Sequence, residues 1–289
     1  MKKLFSAFLC ALILFLLLPT SAHADMGPKP SVRITLEGLD GRLCYGTLLS
    51  EHESTGPASA WRGVPGSAYH KGNFEYANLD EDIWQAFVDY QDSDGYYFLQ
   101  WGWRVDETKA LNWNYYPPER FKVALYFPET GEFCVSGIYE RYAFRSCFAA
   151  EISGSTLSVY SNYNYAEQIP PLIARIVLTL LVELVLALLF GLRRKRQFLA
   201  ITAVNVCTQI LLNVILNYVA FRSGYFAFVF YYALLELLIF VVEAVLLCIL
   251  LHRHDPKPGK GRIVLYALCA NALSFMVGLA LAKMLPGLF

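Results

Sequence analysis

Apolar and polar positions follow two different patterns along this chain. Between residues 32 and 165 they alternate over short segments broken by Gly, Asp, Ser and Pro. From residue 171 onward apolar residues run on almost unbroken in four stretches, at 171–192, 198–221, 226–251 and 263–285. Alternation with period two marks half-buried strands. Apolar runs longer than about 20 residues mark helices able to cross the hydrocarbon of a bilayer. Pro170 and Pro171 open the first stretch, where a missing N–H costs nothing, and Pro286 and Gly287 close the last.

In the first half, strands are predicted at 32–36, 43–49, 96–105, 121–127, 133–139, 142–152 and 157–165. Asp40-Gly41 and Asp94-Gly95 supply turns, and the run from Pro128 to Gly131 a hairpin. Residues 50–76, rich in Gly, Ser and Pro, read as a long loop. Residues 80–90 read as a short helix capped by Asp80, with Ile83, Phe87 and Tyr90 on one face. Six or seven short strands in one compact domain suggest an immunoglobulin-like β-sandwich. The expected fold class is therefore α+β: a sandwich-like exported domain at 25–168, then an all-α, four-helix transmembrane bundle at 169–289.

The N-terminus predicts how the first domain leaves the cytoplasm. Lys2 and Lys3 precede the apolar run 4–18, and Ala22-His23-Ala24 gives a cleavage pattern, so 1–24 reads as a signal peptide. Charge separates the same two regions: residues 25–168 hold twenty acidic and eleven basic residues, whereas only four acids follow. Arg193, Arg194, Lys195 and Arg196 join the first two spans, and Arg253, Lys257, Lys260 and Arg262 the last two. The opposite ends carry only Arg175, Arg222 and Lys283, which places both basic loops in the cytoplasm and the C-terminus outside. The expected location is the cytoplasmic membrane, with the lipid bilayer as the first partner.

Three of those four late acids, Glu183, Glu236 and Glu243, lie within apolar stretches. An ionisable group there is costly and faces a bundle interior. Glu183 and Glu243 each lie ten residues before a basic loop, and Asn205 and Asn271 nine residues after one. At about 1.5 Å per residue all four reach the same depth, near the midplane. Glu236, Asn213 and Arg175 form a second layer farther out, where Arg175 is the natural counter-ion for Glu236. Asn205, Gln209, Asn213 and Asn217 repeat at i+4 spacing and make one ridge. Interhelical hydrogen bonding, worth about 0.6 kcal/mol per bond, explains the amides. It does not require three carboxyls, so the intramembrane polar site is the first functional candidate.

The second candidate is aromatic. All five tryptophans precede residue 114, and Trp101 and Trp103 would share a strand face with Val105. They read either as sandwich core or as a platform for a wall sugar or a cationic peptide. Asp92-Ser93-Asp94-Gly95 resembles a fragment of a calcium loop, but Tyr90 and Trp101 occupy its terminal ligand positions, so it reads as a turn.

No C-x-x-C pair, H-E-x-x-H, Walker loop, dinucleotide fingerprint or nucleophile elbow occurs. His252 and His254 stand at a span end beside Arg253. Neither a cofactor, a metal nor a nucleic-acid partner is expected. Cys44, Cys134 and Cys147 are the exported cysteines, too few for a disulfide framework.

The run from Asn205 to Asn213, with Tyr232–Glu236, Val242-Glu243-Ala244, Tyr115–Glu119 and Phe127–Gly131, resembles a group of multi-pass membrane proteins of Gram-positive, clostridial-type bacteria. That resemblance implies a bacterial origin and the layout of signal peptide, β domain and four spans. It carries over no functional residue. The function expected first is a sensor or accessory protein whose exported domain binds a ligand or membrane partner and is anchored or coupled through the bundle. A small transporter or channel lined by the polar layers is the alternative, and an intramembrane hydrolase the third.

Overall fold

A computed structural model describes residues 27–63, 79–154, 156–164, 166, 169–254 and 259–284. The expected signal peptide lies outside them. The chain forms a β-rich N-terminal region and a long C-terminal region of apolar helices.

The first sheet holds β1 (Ser31–Glu37), β7 (Ala110–Trp113), β11 (Arg145–Ser153) and β12 (Thr156–Ser161), in the order β12-β11-β1-β7. β1 runs parallel to β11, from Ser31 opposite Arg145 to Glu37 opposite Glu151, and antiparallel to β7. The second sheet holds β2 (Tyr45–Ser50), β5 (Tyr97–Phe98), β6 (Trp103–Arg104), β8 (Arg120–Phe127), β9 (Glu132–Val135) and β10 (Tyr139–Glu140). Its path is β10-β8-β2-β5, with β6 also on β2 and β9 on β8. The start of the predicted loop at 50–76 forms a small hairpin of β3 (Ser54–Thr55) and β4 (Ala58–Ser59); residues 64–78 lie outside the described set.

Alternation in β1 turns Val32, Ile34 and Leu36 inward, where they join Leu48, Val123 and Leu125 of the second sheet in one core. The second sheet is also covered from behind. Helix α1 (Glu81–Asp89) sets Ile83, Trp84 and Phe87 against Tyr45, Leu49, Phe98 and Ala124. Burial on both faces explains why β2 is buried at all six positions and shows no polar face.

The strand expected over 96–105 is interrupted. Gln100 takes φ 63°, and a Cβ on Gly102 would lie 2.9 Å from Leu79. The chain bulges there to admit Leu79, and only two short pieces, β5 and β6, pair with β2.

Three helices complete the chain: α2 (Ile169–Leu189), α3 (Lys195–His254) and α4 (Lys260–Met284). All three are long and apolar enough to cross a membrane. Large apolar side chains cover their outer surface, among them Leu181, Val185, Leu199, Leu211 and Val214. α2 ends as the sequence dictates: Gly191 at φ 69° lets Leu192 N–H reach back to the Ala187 carbonyl and Gly191 N–H to Leu188. A Cβ at Gly191 would meet the Arg262 guanidinium at 2.7 Å, so the turn after α2 lies beside the start of α4.

The 60 residues of α3 are not one rod. Gly224, at φ 81° and ψ 179°, breaks the helix. Thr208 and Glu243 are hydrogen-bonded across 2.5 Å, although 35 residues of straight helix would separate them by about 50 Å. The arms 195–223 and 225–254 therefore lie back to back, packed through Leu212, Leu216, Phe228, Tyr232 and Ile239. A deeper cluster of Ala187, Ile201, Val204, Leu247, Ile263 and Tyr266 ties all three helices together.

Candidate functional site

Polar side chains gather where the helices meet. Glu243, on the second arm of α3, is 1% exposed and accepts two side-chain hydrogen bonds. Thr208 of the first arm donates to Oε1 at 2.5 Å, and Asn271 of α4 donates to Oε2 at 2.7 Å. Glu243 thus joins three helical segments. Asn271 also donates to the Ala267 carbonyl, and Thr208 lies 3.1 Å from the carbonyls of Val204 and Asn205.

Glu183 of α2 is equally buried, and its carboxyl is within Coulombic reach of Glu243 and Glu236. The Tyr266 hydroxyl donates to the Glu183 backbone carbonyl at 3.2 Å, which fixes α4 beside that turn of α2. Neither carboxylate oxygen of Glu183 has a hydrogen-bond partner among the described residues. The same holds for both amide atoms of Asn205, for Gln209 Nε2, Asn271 Oδ1 and Glu236 Oε2.

The residues singled out from the sequence divide accordingly. Glu243 and Asn271, counted to one depth, touch each other. Asn205 lies on the same stripe of α3 as Thr208 and Gln209, next to the bonded pair rather than within it. Asn213 is buried and donates to the Gln209 carbonyl at 2.8 Å, so part of the ridge binds its own helix. Tyr232, one turn before Glu236, hydrogen-bonds its carboxyl. The side chain of Arg175 lies outside the described residues, and with it the expected Arg175–Glu236 pair. Thr208 was not anticipated.

Trp101 is 4% exposed and belongs to the core. It stacks on the fully buried Trp113 at 5.3 Å, and Trp103 meets both edge-on at 6.4 and 5.4 Å. The expected platform is thus a three-tryptophan cluster in which Trp103 alone keeps partial exposure.

A second feature lies where the β region meets the helices. The Phe221 carbonyl lies one turn before the break at Gly224. Phe144 N–H donates to it at 2.8 Å. The Phe144 ring covers Gly224 so closely that a Cβ there would lie 2.6 Å from it. Tyr142 and Tyr163 pack on the Phe221 ring at 6.1 and 5.4 Å.

The loop that presents Phe144 is rigidly built. Ser146 Oγ accepts from the N–H groups of Tyr142 and Ala143, and the Tyr142 hydroxyl donates to the Cys147 carbonyl at 2.6 Å. The Phe144 carbonyl in turn accepts from Ser31 N–H at 2.9 Å. Two peptide hydrogen bonds therefore connect the start of β1 to the hinge of α3.

Ionisable groups of the β region have structural surroundings. Lys122 is buried, which disfavours its ammonium, yet bonds to Asp92 and Asp94 outweigh this and raise its pKa. Asp92 lies 2.8 Å from Nζ through both oxygens, and Asp94 2.5 Å. Asp92 also accepts from the N–H groups of Asp94 and Tyr96, so the expected turn at 92–95 holds the lysine. Burial, reinforced by Asp106, pushes the Cys44 thiol up to about 12, an inert state. Cys44, Cys134 and Cys147 are free thiols.

Compared with known proteins, the chain matches no family model, no curated protein and no solved structure.

Proposed function

We propose that this is a multi-pass protein of the cytoplasmic membrane whose extracytoplasmic β domain senses a ligand or partner and passes its state to the helices through the hinge at Gly224. The observation that carries this reading is the Phe144 contact: the β domain both caps the first arm of α3 and packs over its break. Anything that shifts the loop at 142–146 must shift the angle between the two arms, or lose the bond.

In this reading the doubled-back α3 counts as two spans, giving a four-helix bundle beneath a sandwich-like domain. The adjacency of Gly191 and Arg262 supports one shared cytoplasmic side for both basic loops. The C-terminus then lies outside, with the β domain. Trp103, half-buried at the edge of the tryptophan cluster, is the residue through which a wall sugar or cationic peptide would bind.

The coupling can be measured without knowing the ligand. All five tryptophans lie in the β domain and helicity is dominated by the bundle, so one thermal scan of the full chain in nanodiscs reads both. Tryptophan fluorescence and the 222 nm signal should fall together in the parent protein and separate in Phe144→Ala. Two separate transitions in the parent, or coincident ones in Phe144→Ala, would refute the coupling.

A further inference from the structure

We infer that the helical region contains a binding site for a small monovalent inorganic cation, formed by the carboxylates of Glu183 and Glu243 with the side-chain oxygens of Asn205 and Asn271. This goes beyond the sensing role and does not depend on it. The first observation is an imbalance of donors and acceptors. Among the described residues of the helices, the buried side-chain atoms without a partner are Glu183 Oε1 and Oε2, Asn205 Oδ1 and Nδ2, Gln209 Nε2, Glu236 Oε2 and Asn271 Oδ1. Five are oxygens and two are nitrogens. Turning the amides over exchanges single atoms but leaves the carboxylate oxygens unmet, so among the described residues acceptors outnumber donors and no cation stands beside them.

The second observation is that these atoms converge. Asn271 Nδ2 grips Glu243 Oε2, which brings the unpartnered Oδ1 of the same amide beside that carboxylate. Thr208 joins Glu243 to the stripe of α3 that carries Asn205. The Tyr266 hydroxyl fixes the Glu183 turn of α2 beside α4 through its backbone carbonyl, and the Glu183 carboxyl lies near enough to Glu243 to interact with it electrostatically. Glu183 and Asn205 are each 1% exposed and Asn271 5%, so the group is enclosed by the helices.

The donor set selects the ion. Its atoms are all hard oxygens, from carboxylates and amides, which suits alkali and alkaline-earth ions rather than zinc or copper. Among the described residues no three of His, Cys, Asp and Glu come together as a metal-binding group. A divalent ion, which would draw on several carboxylates, is therefore poorly served, whereas one or two carboxylates with amide oxygens suit a single charge. Four helical segments contribute, so the occupied site would clamp α2, both arms of α3 and α4 together.

The test is thermal unfolding of the full chain in nanodiscs at fixed pH and ionic strength, comparing LiCl, NaCl and KCl with choline chloride. At a hundredfold excess over Kd, at least one alkali ion should raise Tm by roughly 5 °C relative to choline. Glu183→Gln should abolish that shift, each salt being read against the same variant in choline. If Glu183→Gln fails to insert, Asn271→Ala is read in its place and should weaken the ion response at least tenfold. Identical Tm in all four salts overturns the proposal, as does a full shift retained in Glu183→Gln. A response to pH alone, meaning bound protons, or to MgCl2 alone, meaning a divalent ion, overturns it as well. The Phe144→Ala experiment is read in a different variant, so either idea can fail alone.

Discussion

Lys122 in the β region and Glu183 in the helices are both ionisable groups taken almost fully out of solvent, and their surroundings differ completely. Lys122 meets both oxygens of Asp92, one of Asp94, and the ring face of Tyr96 at 5.3 Å. Asp92 is itself held by two backbone N–H groups of the same turn. Glu183 has no partner for either oxygen among the described residues. A fully met ion pair explains its own burial, because each charge is the reason for the other. An unmet carboxyl does not explain its own burial. Lys122 and Asp92 hold the β region together, whereas the helices leave several buried acceptors unmet among the described residues.

The sharpest way to break that comparison is to orphan one member of the satisfied pair. Lys122→Met should cost about 3–5 kcal/mol, because it leaves Asp92 buried and charged without its cation. Urea unfolding followed by tryptophan fluorescence measures it. A loss below 1 kcal/mol would mean that Asp92 reaches water and that the contrast with Glu183 is overdrawn. The pH dependence follows from the raised Lys122 pKa. The pair's stabilisation is complete below the unfolded-state value near 10.5 and is lost as pH rises through the higher folded value. Above about pH 10.5 the parent should lose more stability than the variant, in which only the raised tyrosine and cysteine groups common to both chains titrate.

The next test concerns the boundary between the two regions. Gly224→Ala places a Cβ against the Phe144 ring at a backbone conformation open essentially only to glycine. A cost of about 1–3 kcal/mol is expected from the backbone alone. Phe144→Ala in the same chain should recover the part due to the ring contact and leave the backbone part. Full additivity of the two changes would show that the ring does not rest on the hinge.

What could be read in advance divides along the same line. The alternation in 32–36 and the apolar run 121–127 became β1 and β8, because a strand buried on one face alternates and one buried on both faces is continuously apolar, and both patterns are local. The apolar stretches became helices for a comparable reason: in hydrocarbon the backbone must satisfy itself. The break within 96–105 was not legible, since it depends on Leu79 arriving from another segment to press on Gly102. Trp101 was ambiguous because period two gives a strand face but not which face meets the core.

At the candidate site, depth counting brought Glu243 and Asn271 to one level from their distances to basic residues alone. It passed over Thr208, because a threonine in an apolar helix already has a carbonyl one turn back to bond, here Val204 at 3.1 Å. The signal available was its i+3 position from Asn205, on the stripe that faces the partner arm. Phe144 gave no signal at all, since its role is set by a glycine 80 residues later in the chain.

The smallest effect, and the finest probe of the comparison, is at Thr208. Its single hydroxyl proton has three acceptors in reach: the Val204 and Asn205 carbonyls at 3.1 Å and Glu243 Oε1 at 2.5 Å. The shortest contact marks Glu243 as the true partner, and the backbone carbonyls keep their own helix hydrogen bonds. Thr208→Val preserves shape and removes the hydroxyl, leaving Glu243 with Asn271 as its one side-chain donor. The expected loss is about 1 kcal/mol, in line with single interhelical hydrogen bonds in membranes. Thr208→Ser, which keeps the donor, should restore most of it. If the cation site is real, Thr208→Val should also weaken the alkali-ion shift in Tm more than it lowers the Tm measured in choline, because it loosens a ligand while leaving the packing intact. Equal losses in choline and in the stabilising salt would make Thr208 a helix clasp and nothing more.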